Sequence, residues 1–363
     1  MKAVLMGAGF CGAFPASGGL SYREMIARAA AMAYQDAGIT AEQLDGAVSV
    51  EEDFVSGYSI ADEYVPDQLG VQRKAVYTVC GDFLHGLCSA AMQIETGRYR
   101  RLVVEAYSKA SNMLTKGELQ HFAYDPVWNR LGVSPHWLGG IEMQRMLQCG
   151  CRTVDEVVDV VVRNRSRALG HPMAPYGAVL GPREVLQSRP IAEPLTEAMI
   201  ARPADAAVVM VLGCEDVAGT ARKPLRLAGL GWCSGSSVTE WRDHDRSEGT
   251  ALAARAAYAE AGIADPAGAF DVAYVSDLLA HRQLMHLEAM GLANQPAERV
   301  NPDGGSLAGG DLFEANGGAR LFDAVRQLRG EAGAHQVAGA RRAVVQGWRG
   351  LPTDSCAVVV VEA

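Results

Sequence analysis

The chain has 363 residues, 49% hydrophobic, 21% charged and 7% aromatic, a balance that excludes disorder, collagen and coiled coil. Its net charge of −9 comes from scattered acids and bases without a basic stripe, which argues against nucleic acid as a partner. The longest apolar runs, such as Ala206 to Leu212 and Ala357 to Val361, fall far short of the roughly 20 residues of a membrane span. The opening apolar stretch is too short for a signal-peptide core, so the expected compartment is the reducing cytoplasm. Eight cysteines are too sparse for a disulfide framework. Cys149-Gly150-Cys151 comes nearest to a metal pair, but nothing completes a tetrahedral set, so no structural zinc is expected.

In chain order, Met1 to Met6 reads as a strand that meets Gly7. The stretch Gly7-Ala8-Gly9-Phe10-Cys11-Gly12 fits the dinucleotide fingerprint, yet Pro15 and Gly18-Gly19 keep a helix from starting behind it. A tight turn out of the first strand is the better reading. An Ala-rich helix then closes at Ala33-Tyr34-Gln35-Asp36-Ala37-Gly38-Ile39, and Leu44 to Val50 reads as a strand. Val76 to Cys80 forms a strand running into Gly81, and Phe83 to Thr96 shows helical apolar spacing at Leu84, Leu87, Cys88, Ala91 and Ile94. Cys80 therefore falls at a helix N-terminus, where the dipole favours a thiolate. Cys88, on the apolar face, reads as structural.

After a strand near Leu102 to Val104, residues from about Ser111 to Pro203 are rich in Gly, Pro, Trp and His, with one helix near Thr153 to Ala168. This reads as an inserted loop region that carries substrate and subunit contacts. Arg163 and Arg165 are candidate phosphate contacts there, against a plainer reading as solvated helix charges.

The second part echoes the first. Ala257-Tyr258-Ala259-Glu260-Ala261-Gly262-Ile263 repeats the earlier helix end, and Phe270 to Ser276 answers the strand at Leu44 to Val50. Helix ends at Met92 to Gly97 and Arg326 to Gly330, each followed by an apolar strand, continue the parallel. The order helix, strand, turn, helix, strand in both halves implies a mixed sheet covered by helices. Between them, Val300 to Asp311 is dense in glycine, at 304, 305, 309 and 310, ahead of a helix expected over Ala319 to Gln327. Such glycines let backbone amides approach a ligand or another chain. Gly347-Trp348-Arg349-Gly350 forms a late turn whose amides suit an oxyanion, and Cys356 to Val361 reads as a central strand.

Duplicated halves, Cys80 at the first helix N-terminus and the motif Asn301-Pro302-Asp303-Gly304-Gly305 together resemble the thiolase superfamily, closest to the sterol carrier protein x-type and archaeal thiolases and the related steroid side-chain aldolases. The stretches Val161 to Ala174 and Val185 to Leu195 are similar to that branch as well. The resemblance implies an α/β thiolase fold, with two duplicated βαβ halves stacked as a five-layer αβαβα sandwich. Residues 1–220 would form the N-terminal half, including the insertion at about 111–203, and residues 221–363 the C-terminal half.

By the same resemblance Cys80 would accept an acyl group, and the reaction would be thiolytic cleavage or Claisen condensation of a β-ketoacyl-CoA. Coenzyme A would be a substrate, with no tightly bound cofactor and no metal. A homodimer built by edge pairing of sheets is expected, with a small partner carrying a zinc ribbon and an OB-fold as a further possibility. The family pattern is broken at three places. Gly310-Asp311-Leu312 stands where the family has Gly-His-Pro, Ser276-Asp277-Leu278 where this branch has His-Asp-Cys, and Gly347-Trp348-Arg349-Gly350 where other thiolases have Cys-x-Gly-Gly. An anionic Asp311 would oppose a nearby thiolate unless neutralised by burial or by a cation such as Arg349. Candidate catalytic residues are thus Cys80, Asp277, Asp311, Ser276 and His85. Gly310, Gly347, Gly350 and Trp348 are candidate substrate contacts. Two alternatives stand beside acyl transfer: retro-aldol cleavage of a β-hydroxyacyl-CoA with Cys80 as bystander, and a non-catalytic thiolase-like subunit of a heteromeric complex.

Overall fold

The computed structural model describes residues 2–52, 61–112, 126–132, 134, 136–236 and 238–363. Residues 113–125, 133 and 135 of the expected insertion lie outside the described residues. The first part of the chain runs β1 (Ala3–Phe14), α1 (Tyr22–Ala37), β2 (Gly46–Val50), β3 (Ala75–Val79), α2 (Phe83–Glu95) and β4 (Arg101–Lys109). The insertion holds α3 (Trp137–Gln148), α4 (Val154–Arg167) and a hairpin of β5 (Pro190–Ala192) and β6 (Leu195–Thr196), before β7 (Asp205–Cys214). The second part runs β8 (Leu225–Cys233), α5 (Glu248–Ala261), β9 (Val272–Tyr274), α6 (Ala280–Ala289), α7 (Gly305–Gly309), α8 (Asn316–Arg329), β10 (Arg342–Trp348) and β11 (Cys356–Glu362).

Nine strands hydrogen-bond in the order β3-β2-β4-β7-β1-β8-β11-β10-β9. In the first half β3, β2 and β4 are parallel and β7 runs antiparallel between β4 and β1. The second half repeats this as β9-β10-β11-β8, with its missing third strand reduced to a single parallel bridge between Ala273 and Val300. The halves join where Val4 and Leu5 pair with Arg226 and Leu225. Helices α2 and α8 touch strands of both halves, α1 covers the outside of the first and α5 the outside of the second. That is the five-layer arrangement, and the α/β fold expected from the sequence is present. Among the described residues no helix is long and apolar enough to cross a membrane.

The glycine fingerprint of the first strand has a different purpose from the expected turn. β1 continues through Gly7, Gly9 and Gly12 to Phe14. A Cβ on Gly7 would lie 2.3 Å from the Ala33 carbonyl oxygen, and one on Gly9 2.0 Å from that of Ala29, so the glycines admit α1 against the strand. Gly229 and Gly231 do the same in the second half, each with a Cβ position 2.0 Å from a carbonyl oxygen of α5. The repeated Ala-Gly-Ile ends also share one cause. Gly38 (φ 65°) and Gly262 (φ 69°) are left-handed caps, with Ile39 N–H donating to Tyr34 O at 3.1 Å and Ile263 N–H to Tyr258 O at 2.9 Å.

Three further expectations are corrected. The insertion is not a plain loop region, since α3 joins the expected helix α4, which Thr153 opens with a capping box to Glu156. Cys149 and Cys151 at the end of α3 are joined by a disulfide. Finally, α8 begins at Asn316, ahead of the expected start, and the glycine-rich approach contains the short helix α7.

Candidate active site

Cys80 follows β3 and is exposed at the entry to α2. Gly81 makes the turn at φ 148°, and Asp82 caps the helix, its Oδ1 accepting from Leu84 N–H at 3.0 Å. Its Oδ2 accepts from Gly317 N–H, 2.8 Å away in the first turn of α8. One carboxylate therefore binds the N-termini of the equivalent helices of both halves. Burial pushes the Asp82 carboxyl up, opposed by Arg320, whose Nη2 lies 3.6 Å from Oδ2. Cys88 is buried within α2 and its thiol is pushed up by burial, in keeping with a structural role.

The His85 ring lies beside Gly81, whose Cβ position would stand 3.1 Å from its Cγ. Its Nδ1 is 3.2 Å from the Asp82 carbonyl, which can only accept, so the neutral ring carries its proton there. Nε2 then offers a lone pair, and it is buried without a hydrogen-bond partner. Burial lowers the pKa of this imidazole, Asp82 opposes the shift and Arg349 adds to it.

In the second half Asp277 is committed to holding structure. Its oxygens accept from Ser306 N–H at 2.6 Å, Leu307 N–H at 3.1 Å and Asn164 Nδ2 at 2.8 Å, which caps α7 and ties α4 of the insertion to it. Ser276 N–H donates to Gln346 Oε1 at 2.9 Å, while its Oγ is buried without a partner. Arg320 links the two corners, donating to Ser306 Oγ and to the Gln346 carbonyl, both at 3.0 Å.

Asp311, Trp348 and Gly350 come together on the wall of a cavity of about 180 Å³, beside Arg189, Arg202 and Leu279. Asp311 Oδ1 accepts from Asn316 Nδ2 at 2.8 Å and from Phe313 N–H at 3.2 Å. Trp348 is buried, with the Arg282 guanidinium 4.3 Å from its ring centroid. Gly310 lines a separate cavity of about 40 Å³ with Ser306, Tyr274 and Arg320. Gly347 lies against the Asp82 carboxylate, where a Cβ would stand 2.1 Å from Oδ1. The nine candidates thus divide among the Cys80 corner, the α7 cap and two cavities.

The cation expected for Asp311 is engaged elsewhere. Arg349 Nη2 forms a short ion pair with Glu52 and lies 3.6 Å from Glu314 Oε1. Burial disfavours its charge, but Glu314, Glu52 and the nearby Cys80 sulfur hold the guanidinium protonated. Glu314 is 2% exposed, and burial pushes its carboxyl up to about 7 against the pull of Arg349, with Glu52 and Glu51 adding to the rise. These two glutamates carry no local motif, and their proximity to Arg349 depends on three distant segments. Among the described residues one other cluster has metal-ligand types, His171 with Asp303 and Asp323. Met173 N–H donates to His171 Nδ1 at 3.2 Å and Arg326 Nη1 lies 3.4 Å from Nε2, so both ring nitrogens face donors, and burial with His335 and Arg326 lowers the imidazole pKa to about 4.

Residues 299–362 match the thiolase C-terminal domain-like family. An acetyl-CoA acetyltransferase of Methanothermobacter thermautotrophicus is 26% identical over 347 residues, spanning 88% of this chain and 89% of its own. The benzoylsuccinyl-CoA thiolase subunit BbsB of Thauera aromatica is 28% identical over 204 residues, spanning 51% of this chain and 52% of its own. The solved Ltp2-ChsH2(DUF35) aldolase shares the fold, with a TM-score of 0.84 at 20% identity over 100% of this chain and 98% of that one.

Proposed function

Because the chain belongs to the thiolase superfamily, we propose that it is a thiolase-like acyl-CoA acyltransferase working through a thioester on Cys80. The observation that carries this reading is the exposed thiol at the N-terminus of α2, within electrostatic reach of the Arg349 guanidinium. In the cleavage direction the thiolate attacks the β-keto carbonyl of a β-ketoacyl-CoA and the carbon–carbon bond breaks. Its electron pair leaves with the acyl-CoA fragment, which takes a proton. Coenzyme A then accepts the acyl group and Cys80 returns to the thiol. Condensation is the same path reversed. The dipole of α2 and Arg349 stabilise the sulfur anion, and Asp277 positions α7 and the insertion.

Residues 1–220 and 221–363 are taken as the duplicated halves. The open edge of β3, where Tyr77 is exposed, suits pairing with a second copy. The word subunit in the name of the Thauera relative supports a protein partner as well.

Aldol cleavage is the second reading. It is favoured by the name of the solved aldolase neighbour and by Asp311, a carboxylate placed in the larger cavity where a β-hydroxyl proton would need an acceptor. Turnover of matched β-ketoacyl-CoA and β-hydroxyacyl-CoA panels by the wild type and Cys80→Ala separates the two. Acyl transfer predicts keto-thioester turnover that needs Cys80. Turnover of the hydroxy series alone, undiminished in Cys80→Ala, would replace it with the aldolase reading.

A further inference from the structure

A cysteine that becomes acylated must give up a proton and later recover one, so its surroundings need a group able to hold that proton near neutral pH. His85 is poorly suited. Its protonated ring would be a buried cation next to Arg349, and both burial and that neighbour keep it neutral. Glu314 is in the opposite position. Its Oε1 is buried with no hydrogen-bond partner, and Arg349 stands 3.6 Å away, in contact also with Glu52 and within electrostatic reach of the Cys80 sulfur. One guanidinium is thus shared by three acids.

We infer that Glu314 is the proton acceptor and donor for Cys80, coupled to it through Arg349. This rests on the acyl-transfer reading above. The Cys80 S–H bond breaks, its electron pair stays on sulfur, and the proton forms an O–H bond on the Glu314 carboxylate. Arg349 faces two anions before and after the transfer, Glu52 with Glu314 and then Glu52 with the thiolate. The net charge of the corner is unchanged, which avoids creating a new buried charge. In cleavage Glu314 passes its proton to the carbon released from the β-keto acyl group. The incoming coenzyme A thiol then gives its proton to Glu314 as its sulfur takes the acyl group, and the departing Cys80 thiolate recovers that proton.

The charges around Glu314 fit this task. Glu51 and Glu52 beyond β2 disfavour its ionisation, and Arg349 favours it. The turn carrying it packs against β4, with Arg101, Glu105, Tyr107 and Lys109, against β7, with Asp205 and Cys214, and against α8, with Arg320. Lys109 and Asp205 neutralise each other at 2.8 Å.

The test is the rate of Cys80 alkylation by iodoacetamide, read by peptide mass across pH, in the wild type, Glu314→Gln and Arg349→Gln, beside turnover of a β-ketoacyl-CoA. Gln leaves more of the Arg349 charge to the thiolate, so Glu314→Gln should alkylate about 3- to 10-fold faster above pH 7. Its turnover should fall about 10²- to 10⁴-fold. Arg349→Gln should slow alkylation. A purely structural role would move both rates together. The wild-type profile should show a shoulder near pH 7, where ionising Glu314 begins to oppose the thiolate, and this holds even if the variant does not fold. A wild-type profile without that shoulder, or unchanged alkylation in Glu314→Gln, overturns the coupling. Full turnover by Cys80→Ala would instead remove the acyl-transfer reading, while the alkylation profile would still judge the coupling of Cys80 and Glu314.

Discussion

After its third strand the first half turns through Gly81 and leaves Cys80 exposed. At the corresponding point of the second half the strand has shrunk to the Val300 bridge, and Asn301 is wholly buried. The Asn301 side chain accepts from Val275 N–H at 2.9 Å and donates to the Val275 carbonyl and to Gln283 Oε1, both at 3.0 Å. One half leaves a free thiol exposed, and the other uses the same position to fasten its backbone. Elsewhere the halves keep the same devices. Asp45 receives the N–H groups of Arg100 and Arg101, and Asp271 those of Arg341 and Arg342. Duplication thus persists where it holds the frame and lapses ahead of the helix N-termini, at Cys80 and Asn301.

The strongest way to break this contrast is to exchange its roles. Cys80→Ala should lower acyl-transfer turnover by about 10³-fold or more with little loss of stability, because an exposed thiol contributes little packing. Asn301→Ala should do the reverse, lowering stability by about 1–3 kcal/mol through the buried groups it leaves unpaired. Activity and denaturation curves on both variants check this.

The equivalence of the frames is sharpened by Gly9→Ala and Gly231→Ala. Each places a methyl 2.0 Å from a helix carbonyl oxygen, so each should destabilise by about 2–4 kcal/mol, measured as a shift in the urea midpoint. Unequal losses would show that one half carries the fold.

A smaller effect tests the buried carboxyl that only the first-half corner engages. Glu314 is raised to about 7 in the folded protein from its ordinary 4.5. The unfolded chain therefore releases that proton first, and the contribution of this group is complete below pH 4.5 and lost as pH rises through 7. Glu314→Gln should accordingly gain about 1–3 kcal/mol relative to the wild type between pH 5 and pH 8, seen in paired melting curves. The smallest effect is Ser21→Ala, which removes the α1 capping box at a cost of about 1 kcal/mol. No side-chain cap bond opens α5, so the loss has no counterpart in the second half.

Much of the fold was legible because its signals are local. A left-handed cap needs Gly38 or Gly262 in place, and an N-cap needs Asp82 or Thr153 at the start of an apolar period. The glycines of β1 misled for the opposite reason. Their purpose is to admit carbonyls of α1 some twenty residues on, which a strand-to-helix motif does not distinguish from a turn. The position of Cys80 was readable from its junction. The Arg349 pairing was not, since its glycine-flanked turn is visible in the sequence but Glu52 and Glu314 come from separate segments and sit in no pattern of their own. Asp277 was legible as a candidate, but its capping of α7 through Ser306 and Leu307 and its bond to Asn164 depend on segments far from it in sequence.

The most direct test of the central claim is acid quenching of the protein during turnover of a β-ketoacyl-CoA, followed by peptide mass analysis. One acyl adduct is expected, on the peptide containing Cys80, removed when free coenzyme A is added before the quench. Turnover with no adduct on Cys80 at any time point would contradict it.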